Sequence, residues 1–169
     1  MDLTHIVVMG VAGCGKSTVA TALAERLGWP FCEGDDLHSE ANRAKMRAGT
    51  PLDDDDRAPW LAALRDWMSE QAVAGRSSVL TCSALKQGYR DVLREAQGEV
   101  YFVHLAPPTD LNAERIAARE DHYMPATLLD SQLEALEELA PEEAGMVVRT
   151  GAGPEEVVEL VLAHLAQRT

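Results

Sequence analysis

The sequence predicts an α/β fold in which a central parallel sheet is covered by helices on both faces. Short apolar runs rich in β-branched residues alternate with longer stretches of helical periodicity, an order that is typical of parallel sheets. The runs are continuous rather than alternating, as expected of strands buried on both faces. With 169 residues, 46% of them hydrophobic, the chain is large enough for one compact domain with an ordinary core. We therefore expect a single three-layer domain over residues 1–169.

Five apolar runs are candidate strands, and apolar stripes at helical spacing lie between them. The strands are expected at residues 6–9, 29–32, 78–82, 100–105 and 146–149. The stripes that predict packed helices are Val19, Leu23 and Leu27; Trp60, Leu61, Leu64, Trp67 and Met68; and Val157, Leu160, Val161 and Leu165. Gly28 and Gly75 follow the first two stripes, at positions where glycine commonly ends a helix.

The regular alternation is interrupted twice. From about residue 39 to residue 75, two helical stretches follow each other after the second strand, which predicts a helical insertion that covers a bound substrate. The irregular stretch at about residues 119–125 lies between two helical patterns and is a candidate for a mobile lid.

The first candidate strand leads into a glycine-rich loop that a helical pattern follows. Strand, glycine loop and helix are the context that a phosphate-binding P-loop requires. Glycines let the backbone N–H groups point at phosphates, and the helix N-terminus adds positive charge. Lys16 is expected to reach the β- and γ-phosphates, and the Ser17 hydroxyl to ligate Mg²⁺. The sequence therefore predicts ATP and Mg²⁺ binding by Gly10, Val11, Ala12, Gly13, Cys14, Gly15, Lys16, Ser17 and Thr18.

Several classes of protein lack support in the sequence. The D-x-x-G and N-K-x-D strings of GTPases and the L-S-G-G-Q string of transport ATPases do not occur. The formal net charge of -13 argues against a nucleic acid as the main partner. No apolar run approaches the roughly 20 residues that span a bilayer. Short length and a helical insertion instead favour a small-molecule kinase.

The cysteines and the N-terminal segment indicate a cytoplasmic protein. Cys14, Cys32 and Cys82 stand far apart, so reduced thiols are expected rather than a disulfide or a zinc site. The first residues carry an acid and no Lys or Arg, unlike a secretory leader. A thiol beside a helix N-terminus can have a lowered pKa, so Cys14 is either oxidation-sensitive or a tolerated small residue.

Carboxylates follow the second candidate strand, at the edge where parallel sheets bind ligands. Glu33 and Asp35 are two positions apart, so they share a face of an extended segment. This supports Glu33 near the Mg²⁺ shell and Asp35 as the base that accepts the proton of the attacking hydroxyl. The alternative is that these acids cap a helix or face solvent, which we prefer for Asp36.

Longer blocks of sequence extend the pattern beyond the phosphate loop. With Gly10 to Thr18, they are Gly34-Asp35-x-Leu37-His38, Asn42-Arg43-x-Lys45-Met46-x-x-Gly49-x-Pro51-Leu52-x-Asp54-Asp55-Asp56-Arg57-x-Pro59-Trp60-Leu61, Cys82-Ser83-Ala84-Leu85-Lys86-x-x-Tyr89-Arg90, and His122-Tyr123-Met124 with Leu129-x-Ser131-Gln132-x-x-x-Leu136-Glu137. In these blocks the whole chain resembles the gluconate kinase (gluconokinase) family of small P-loop kinases, which are related to shikimate kinases.

The resemblance implies transfer of the ATP γ-phosphoryl group to the terminal (6-) hydroxyl of D-gluconate. It also implies a three-layer P-loop kinase fold like that of nucleoside monophosphate kinases, with five parallel strands in the order 2-3-1-4-5, and a homodimer. Family members commonly have Asp at the position of Glu33.

Gluconate carries a carboxylate and hydroxyls, so its pocket needs a cation and hydrogen-bond partners. Arg57 is the expected carboxylate clamp, through the resemblance to shikimate kinases; alternatively it neutralises the aspartates before it. Lys86, at a helix start after the third strand, either binds substrate or the transferring phosphoryl group, or is a surface lysine. His38 either binds sugar hydroxyls or only leads into a helix. Arg90 is expected to be structural, as are His5, His104 and His164.

Arg115 and Arg119 lie four apart on one expected helix face. In kinases of this class such arginines contact adenine and phosphates as the lid closes, and Arg119 is also a catalytic candidate. Ion pairs with Glu114 or Glu120 are the alternative. Two other functions stay open from the residues: a related kinase with another acceptor, such as shikimate, and a regulatory ATP-binding module without transfer activity.

Overall fold

A computed structural model of the chain describes residues 3–10, 15–50, 52–106, 136–149 and 153–167. The predicted α/β architecture is confirmed by a five-stranded sheet in which every pair of neighbouring strands is parallel. The strands are β1 (Thr4–Met9), β2 (Phe31–Cys32), β3 (Ser78–Thr81), β4 (Glu99–Leu105) and β5 (Gly145–Val148). Their order in the sheet, β2-β3-β1-β4-β5, is the one that the family resemblance implies.

The strand β2 is the shortest and begins later than the sequence predicts. It pairs with β3 through Phe31 opposite Val79 and Cys32 opposite Leu80. Pro30 has no N–H to donate, and its carbonyl accepts from Val79 N at 2.9 Å. The pairing therefore starts only at the residue after the proline.

Five α-helices and one short 3-10 helix cover the sheet in the described part of the chain. They are α1 (Lys16–Leu27), the 3-10 helix (Gly34–Leu37), α2 (Glu40–Arg47), α3 (Asp54–Val73), α4 (Gln87–Leu93) and α5 (Pro154–Ala166). Gly28 and Gly75 have φ values of 70° and 79° just beyond α1 and α3, as glycine at a helix end does. None of the described helices is long and apolar enough to cross a membrane.

The two helices expected between β2 and β3 are α2 and α3, and side-chain caps fix where each begins. The hydroxyl of Ser39 accepts from Asn42 N at the start of α2. At the start of α3, Asp53 and Asp56 form a reciprocal capping box, an arrangement that satisfies N–H groups otherwise left without partners. The predicted lid at about residues 119–125 lies outside the described residues.

The central strand β1 divides the hydrophobic core into two halves. Ile6 and Val8 pack on one face of the sheet with α1 and α5. Val7 and Met9 pack on the other face with α3 and α4. All four side chains are fully buried, as the continuous apolar run predicts.

The prediction for Leu160 is wrong, because this residue is 46% exposed. The buried residues of α5 are Val157, Val158 and Val161. At about 100° per residue, Leu160 lies roughly 110° from the centre of that face. Val158 takes the packing position that the stripe assigned to Leu160.

Candidate active site

The phosphate side of the site is the start of α1. Gly10 and Gly15 have φ values of 146° and 89°, which side chains rarely permit. Lys16 Nζ donates to Gly10 O at 3.0 Å, so the ammonium group folds back toward the end of β1. An ammonium and a helix N-terminus are thereby placed together, as phosphate binding requires. The remaining predicted loop residues, Val11, Ala12, Gly13 and Cys14, lie outside the described residues.

The carboxylate of Glu33 joins the phosphate loop to the sheet. Ser17 Oγ donates to Glu33 Oε2 at 2.6 Å, and the Thr81 hydroxyl donates to Glu33 Oε1. Thr81 lies at the end of β3 and is a site residue that no motif in the sequence indicates. Thr18, by contrast, is exposed on α1. The structure thus brings Ser17 and Glu33 together as the sequence predicts, with Thr81 as a third oxygen group.

The turn that follows Glu33 is held by close backbone contacts. Gly34 N donates to Thr81 Oγ1 at 2.9 Å, and Trp60 Nε1 donates to Gly34 O at 2.7 Å. A Cβ atom at Gly34 would lie 1.8 Å from the carbonyl oxygen of Thr81, so only glycine fits there. The 3-10 helix that carries Asp35 is therefore anchored to both β3 and α3.

Asp35 opens to solvent beside a buried histidine. Its side chain is 43% exposed, whereas that of His38 is 3% exposed, and His38 Nε2 lies 4.0 Å from Asp35 Oδ1. Asp36 is exposed, which agrees with the solvent-facing interpretation for that residue. Of the two neighbouring aspartates, Asp35 is the one that adjoins the buried side chains of the site.

His38 is held on two sides in a polar and aromatic setting. Its ring stacks on Trp60 with centroids 4.0 Å apart and an interplanar angle of 17°. Its Nδ1 lies 3.2 Å from Asn42 Nδ2. Burial lowers the pKa of His38 to about 4, with Asp35 opposing and Arg43 and Arg57 adding to the lowering. The imidazole is therefore neutral at pH 7, a state that depends on burial and could not be predicted from sequence spacing.

Arg57 lies in a cluster with Tyr89 and Asp54. Its Nη1 donates to the Tyr89 hydroxyl at 3.0 Å, and the hydroxyl donates to Asp54 Oδ1 at 2.6 Å. The guanidinium carbon lies 5.2 Å from the centroid of the Tyr89 ring. Only 20% of the Arg57 side chain is exposed. The direct distance to the Asp54 carboxylate is 3.7 Å, so the arginine is held in place without a close ion pair.

Tyr89 also brings a second cation to the cluster. Lys86 Nζ lies 5.9 Å from the centroid of the same ring, and Lys86 is the residue that caps α4. Burial and the hydrogen bond to Asp54 raise the pKa of Tyr89 to about 12, so the hydroxyl keeps its proton at neutral pH. The sequence predicted Arg57 and Lys86 as substrate residues but missed Tyr89, because a tyrosine three positions after a lysine has no distinctive spacing.

Arg90 has the structural role expected from the sequence. It is fully buried and donates from Nε and Nη2 to the two carboxylate oxygens of Glu143 at 2.8 and 3.1 Å. Burial opposes the charge of Glu143, but hydrogen bonds from Arg90, the Ala140 N–H and Arg94 lower its pKa to about 2. Arg90 Nη1 also donates to the carbonyl of Ala84 at 2.8 Å, a residue with a φ of 45°.

The other predicted residues fall into two groups. Arg115 and Arg119 lie outside the described residues. Cys32 and Cys82 are free thiols, and burial raises the pKa of each, to about 11 and about 12. Both thiols are therefore protonated and unreactive at neutral pH.

The groups described above meet because neighbouring parallel strands end at the same edge of the sheet. The phosphate loop follows β1, Glu33 and Asp35 follow β2, and Thr81 ends β3. This edge combines the N-terminus of α1 with Lys16 and two carboxylates. The cation cluster adjoins it, since Arg57 on α3 is close enough to His38 to help lower the pKa of that ring. Such an arrangement can hold a polyphosphate beside an anionic acceptor and accept a proton from it.

Comparisons with known proteins extend over nearly the whole chain. Residues 6–139 match the family described as an AAA domain. The chain is 52% identical over 159 residues to the gluconokinase of Gluconobacter oxydans (strain 621H), covering 94% of this chain and 89% of the relative. Among solved structures, an unliganded sugar kinase from Janibacter sp. HTCC2649 is similar at a TM-score of 0.93 and 48% identity, over 97% of this chain and 95% of that one. A gluconokinase from Sinorhizobium meliloti 1021 is similar at a TM-score of 0.87 and 46% identity, over 97% of this chain and 92% of that one.

Proposed function

This chain belongs to the gluconokinase family, and from that premise we propose that it transfers the γ-phosphoryl group of ATP to the 6-hydroxyl of D-gluconate. The products are 6-phospho-D-gluconate and ADP. The observation that carries the proposal is the 52% identity to a gluconokinase over 94% of the chain. The two cations beside Tyr89 support it, because the acceptor carries a carboxylate.

On the phosphate side, Lys16 supplies the mobile positive charge. Its ammonium group donates to a neutral carbonyl at 3.0 Å, and a phosphate oxygen is a stronger, charged acceptor. We infer that Lys16 exchanges the Gly10 carbonyl for the β- and γ-phosphates when ATP binds. Its charge then stabilises the negative charge that spreads over the transferring group.

On the acceptor side, Asp35 is the proposed base. The 6-hydroxyl oxygen forms a bond to the γ-phosphorus while the bond from that phosphorus to the ADP oxygen breaks. The hydroxyl proton passes to the Asp35 carboxylate, which is partly exposed at the sheet edge. His38 is proposed to lie against the acceptor beside Asp35.

Arg57 and Lys86 are the proposed carboxylate clamp. The Tyr89 hydroxyl and ring hold the guanidinium group in place, so little of its freedom remains to be lost on binding. A held cation facing a carboxylate fixes which end of the substrate points toward the phosphates. We propose that the opposite, hydroxyl end of gluconate is then the acceptor.

The oxygen groups beside the phosphate loop fit Mg²⁺. A serine hydroxyl and a carboxylate are the donors that this ion prefers, and in this chain Ser17 and Glu33 are in direct contact. We propose that Ser17 holds the ion and that Glu33 does so through water. When bound, Mg²⁺ neutralises charge on the β- and γ-phosphates. Arg115 and Arg119 are proposed to add positive charge over the nucleotide from the lid.

We also propose that the protein is a cytoplasmic homodimer. The dimer follows from the family resemblance, and the free thiols Cys32 and Cys82 are in keeping with a reducing compartment. Sedimentation equilibrium at micromolar concentration tests the oligomeric state, and a monomer mass would refute the dimer.

The activity is tested by measuring ADP release with ATP and Mg²⁺ against a panel of acceptors. The panel contains gluconate, shikimate, other sugar acids and nucleoside monophosphates. Selective turnover of gluconate is expected. Preference for another acceptor would assign a different kinase, and no turnover with any acceptor would indicate a binding module.

The role of Asp35 is tested by Asp35→Asn, which keeps the shape but removes the base. We expect kcat to fall about 100-fold or more, while ATP binding measured by calorimetry stays unchanged. Asp36→Asn is the matched control because Asp36 is exposed next to it. Near-normal turnover of the Asp35 variant would refute its role as the base.

A further inference from the structure

The amide of Asn42 has only one possible orientation. Its Nδ2 atom lies 2.8 Å from the backbone carbonyl oxygen of Asp56. A carbonyl oxygen only accepts hydrogen bonds, so the amide atom facing it must be the nitrogen. Asn42 is 5% exposed, and a reversed amide would leave two buried oxygens in contact.

The same amide nitrogen determines where the proton of His38 lies. Asn42 Nδ2 has two hydrogens and lies 3.2 Å from His38 Nδ1. Since the amide nitrogen can only donate, Nδ1 must accept and carries no proton. In a neutral imidazole the proton is then on Nε2, the atom that lies 4.0 Å from Asp35 Oδ1.

We infer that Asn42 is a positioning residue that holds His38 as its Nε2-protonated tautomer, an inference that rests on the proposed function. The fixed N–H donor on Nε2 then orients the carboxylate of Asp35 for the acceptor hydroxyl. A movement of about 1 Å brings Nε2 and Oδ1 to hydrogen-bond distance. One carboxylate oxygen is then held by His38 and the other is left for the hydroxyl.

The orientation of the His38 ring is fixed as well as its tautomer. Trp60 stacks on the imidazole, and the indole N–H is itself bonded to the carbonyl of Gly34. The charged groups that face His38 are Asp35, Arg43 and Arg57, and burial outweighs the carboxylate in lowering the pKa of the ring. The donor on Nε2 is therefore present across the neutral pH range without a change in charge.

The tautomer is measured directly in the full-length protein without substrate. A two-bond ¹H–¹⁵N correlation spectrum at pH 7 distinguishes the protonated from the unprotonated ring nitrogen, and a His38→Gln sample assigns the signals. We expect Nδ1 unprotonated and Nε2 protonated for His38. A proton on Nδ1, or a mixture of the two tautomers, would overturn the inference.

Asn42→Asp should make the contact between His38 Nε2 and Asp35 depend on pH. The new carboxylate accepts from Nδ1, so it favours a proton there and raises the pKa of His38. At low pH the imidazolium still has a proton on Nε2. As pH rises through the new pKa, that proton is lost and Nε2 presents a lone pair to Asp35. The ratio of variant to wild-type kcat with gluconate should then fall about tenfold, the loss of roughly one hydrogen bond, while KM for ATP is unchanged.

Ala41→Asp is the matched control because it adds the same charge at the neighbouring exposed position of α2. The ratio of its kcat with gluconate to that of the wild type should not depend on pH. A constant ratio for Asn42→Asp, or the same decline in Ala41→Asp, would contradict the inference. If the Asn42 variant does not fold, the spectrum of the wild-type protein still tests which tautomer His38 adopts. Failure of the proposed function is distinguishable, because gluconate turnover would then be absent even with the expected tautomer.

Discussion

The hydroxyl of Tyr89 lies between a cation and an anion, and this position gives it a testable role. It accepts from Arg57 and donates to Asp54. Tyr89→Phe keeps the ring but removes both bonds, so the guanidinium group loses its fixed orientation. We expect KM for gluconate to rise about five- to tenfold, equivalent to roughly one ordinary hydrogen bond, with little change in kcat.

Tyr101→Phe is the control for that substitution. Its hydroxyl bonds to His164 Nδ1 at 2.5 Å, in the contact between β4 and α5 rather than at the site. Steady-state kinetics with varied gluconate should show no change in KM for this variant. If KM for gluconate is unchanged in Tyr89→Phe as well, the Tyr89 hydroxyl does not orient Arg57 in the proposed carboxylate clamp.

Glu33 is the residue at which the length of the side chain matters. Its two carboxylate oxygens reach hydroxyls on different elements, Ser17 on α1 and Thr81 on β3. Glu33→Gln keeps that length but removes the charge that would attract Mg²⁺. We expect the Mg²⁺ concentration for half-maximal activity to rise about tenfold, measured by titration at fixed ATP.

The control is Glu25→Gln, which removes an exposed acid from α1 and should leave the Mg²⁺ requirement unchanged. Glu33→Asp keeps the charge and introduces the residue that family members commonly have there, so it should raise the Mg²⁺ requirement less than Glu33→Gln does. An unaltered Mg²⁺ dependence in Glu33→Gln would mean that the carboxylate only links α1 to β3.

Among the elements, the 3-10 helix depends most strongly on one close contact. Gly34→Ala would place a Cβ atom 1.8 Å from the carbonyl of Thr81, so the turn must move away from β3. We expect a loss of about 1–3 kcal/mol in the free energy of unfolding, as for overpacked cores, measured by urea denaturation. Activity should fall too, because Asp35 moves with the turn.

Gly88→Ala is the matched control in α4. A Cβ atom there meets nothing within 4 Å, and the residue is exposed. Since alanine is the better helix former by about 0.8–1 kcal/mol, this variant should be equally stable or more stable. A Gly34→Ala variant as stable as wild type would show that the backbone yields easily at this point.

The elements themselves were largely predictable, whereas several site residues were not. Apolar runs indicated all five strands because a strand buried on both faces needs apolar residues throughout. Three site residues escaped prediction: Thr81, Asn42 and Tyr89. Thr81 and Tyr89 act through partners distant in sequence, which spacing does not reveal. Asn42 acts on His38, four positions before it, but that spacing alone does not distinguish it from an ordinary polar residue of a helix. The prediction for Leu160 was wrong for a related reason. The helical period of the stripe was correct, but the neighbouring elements determine which side of α5 is buried.

For the molecule as a whole, buried histidines predict that stability depends on pH. Burial lowers the pKa of His104 and of His38 to about 4, below the ordinary 6.5. The unfolded chain therefore binds more protons between these values. The free energy of unfolding should fall as pH decreases from 6.5 toward 4, by at most about 1.4 kcal/mol per pH unit for each histidine.

Urea denaturation without substrate between pH 7.5 and pH 5 measures this slope. His104→Leu should show a shallower slope, because it removes one of the groups that titrate. The substitution leaves few groups without partners, since Nδ1 of His104 has no hydrogen-bond partner within the described part of the chain. An identical slope in wild type and variant would show that His104 does not contribute.

The parallel pairing of β1 has a consequence during protein synthesis. In the sheet, His5 lies opposite Ser78 and Thr4 lies opposite Glu99, so both neighbours of this strand leave the ribosome long after it does. Roughly a hundred residues must be translated before the most apolar segment of the chain is flanked on both sides. Until then β1 is an exposed, aggregation-prone strand, and the protein depends on slow, long-range contacts for its folding rate. We therefore expect a nascent chain arrested before β4 to bind chaperones through its first ten residues.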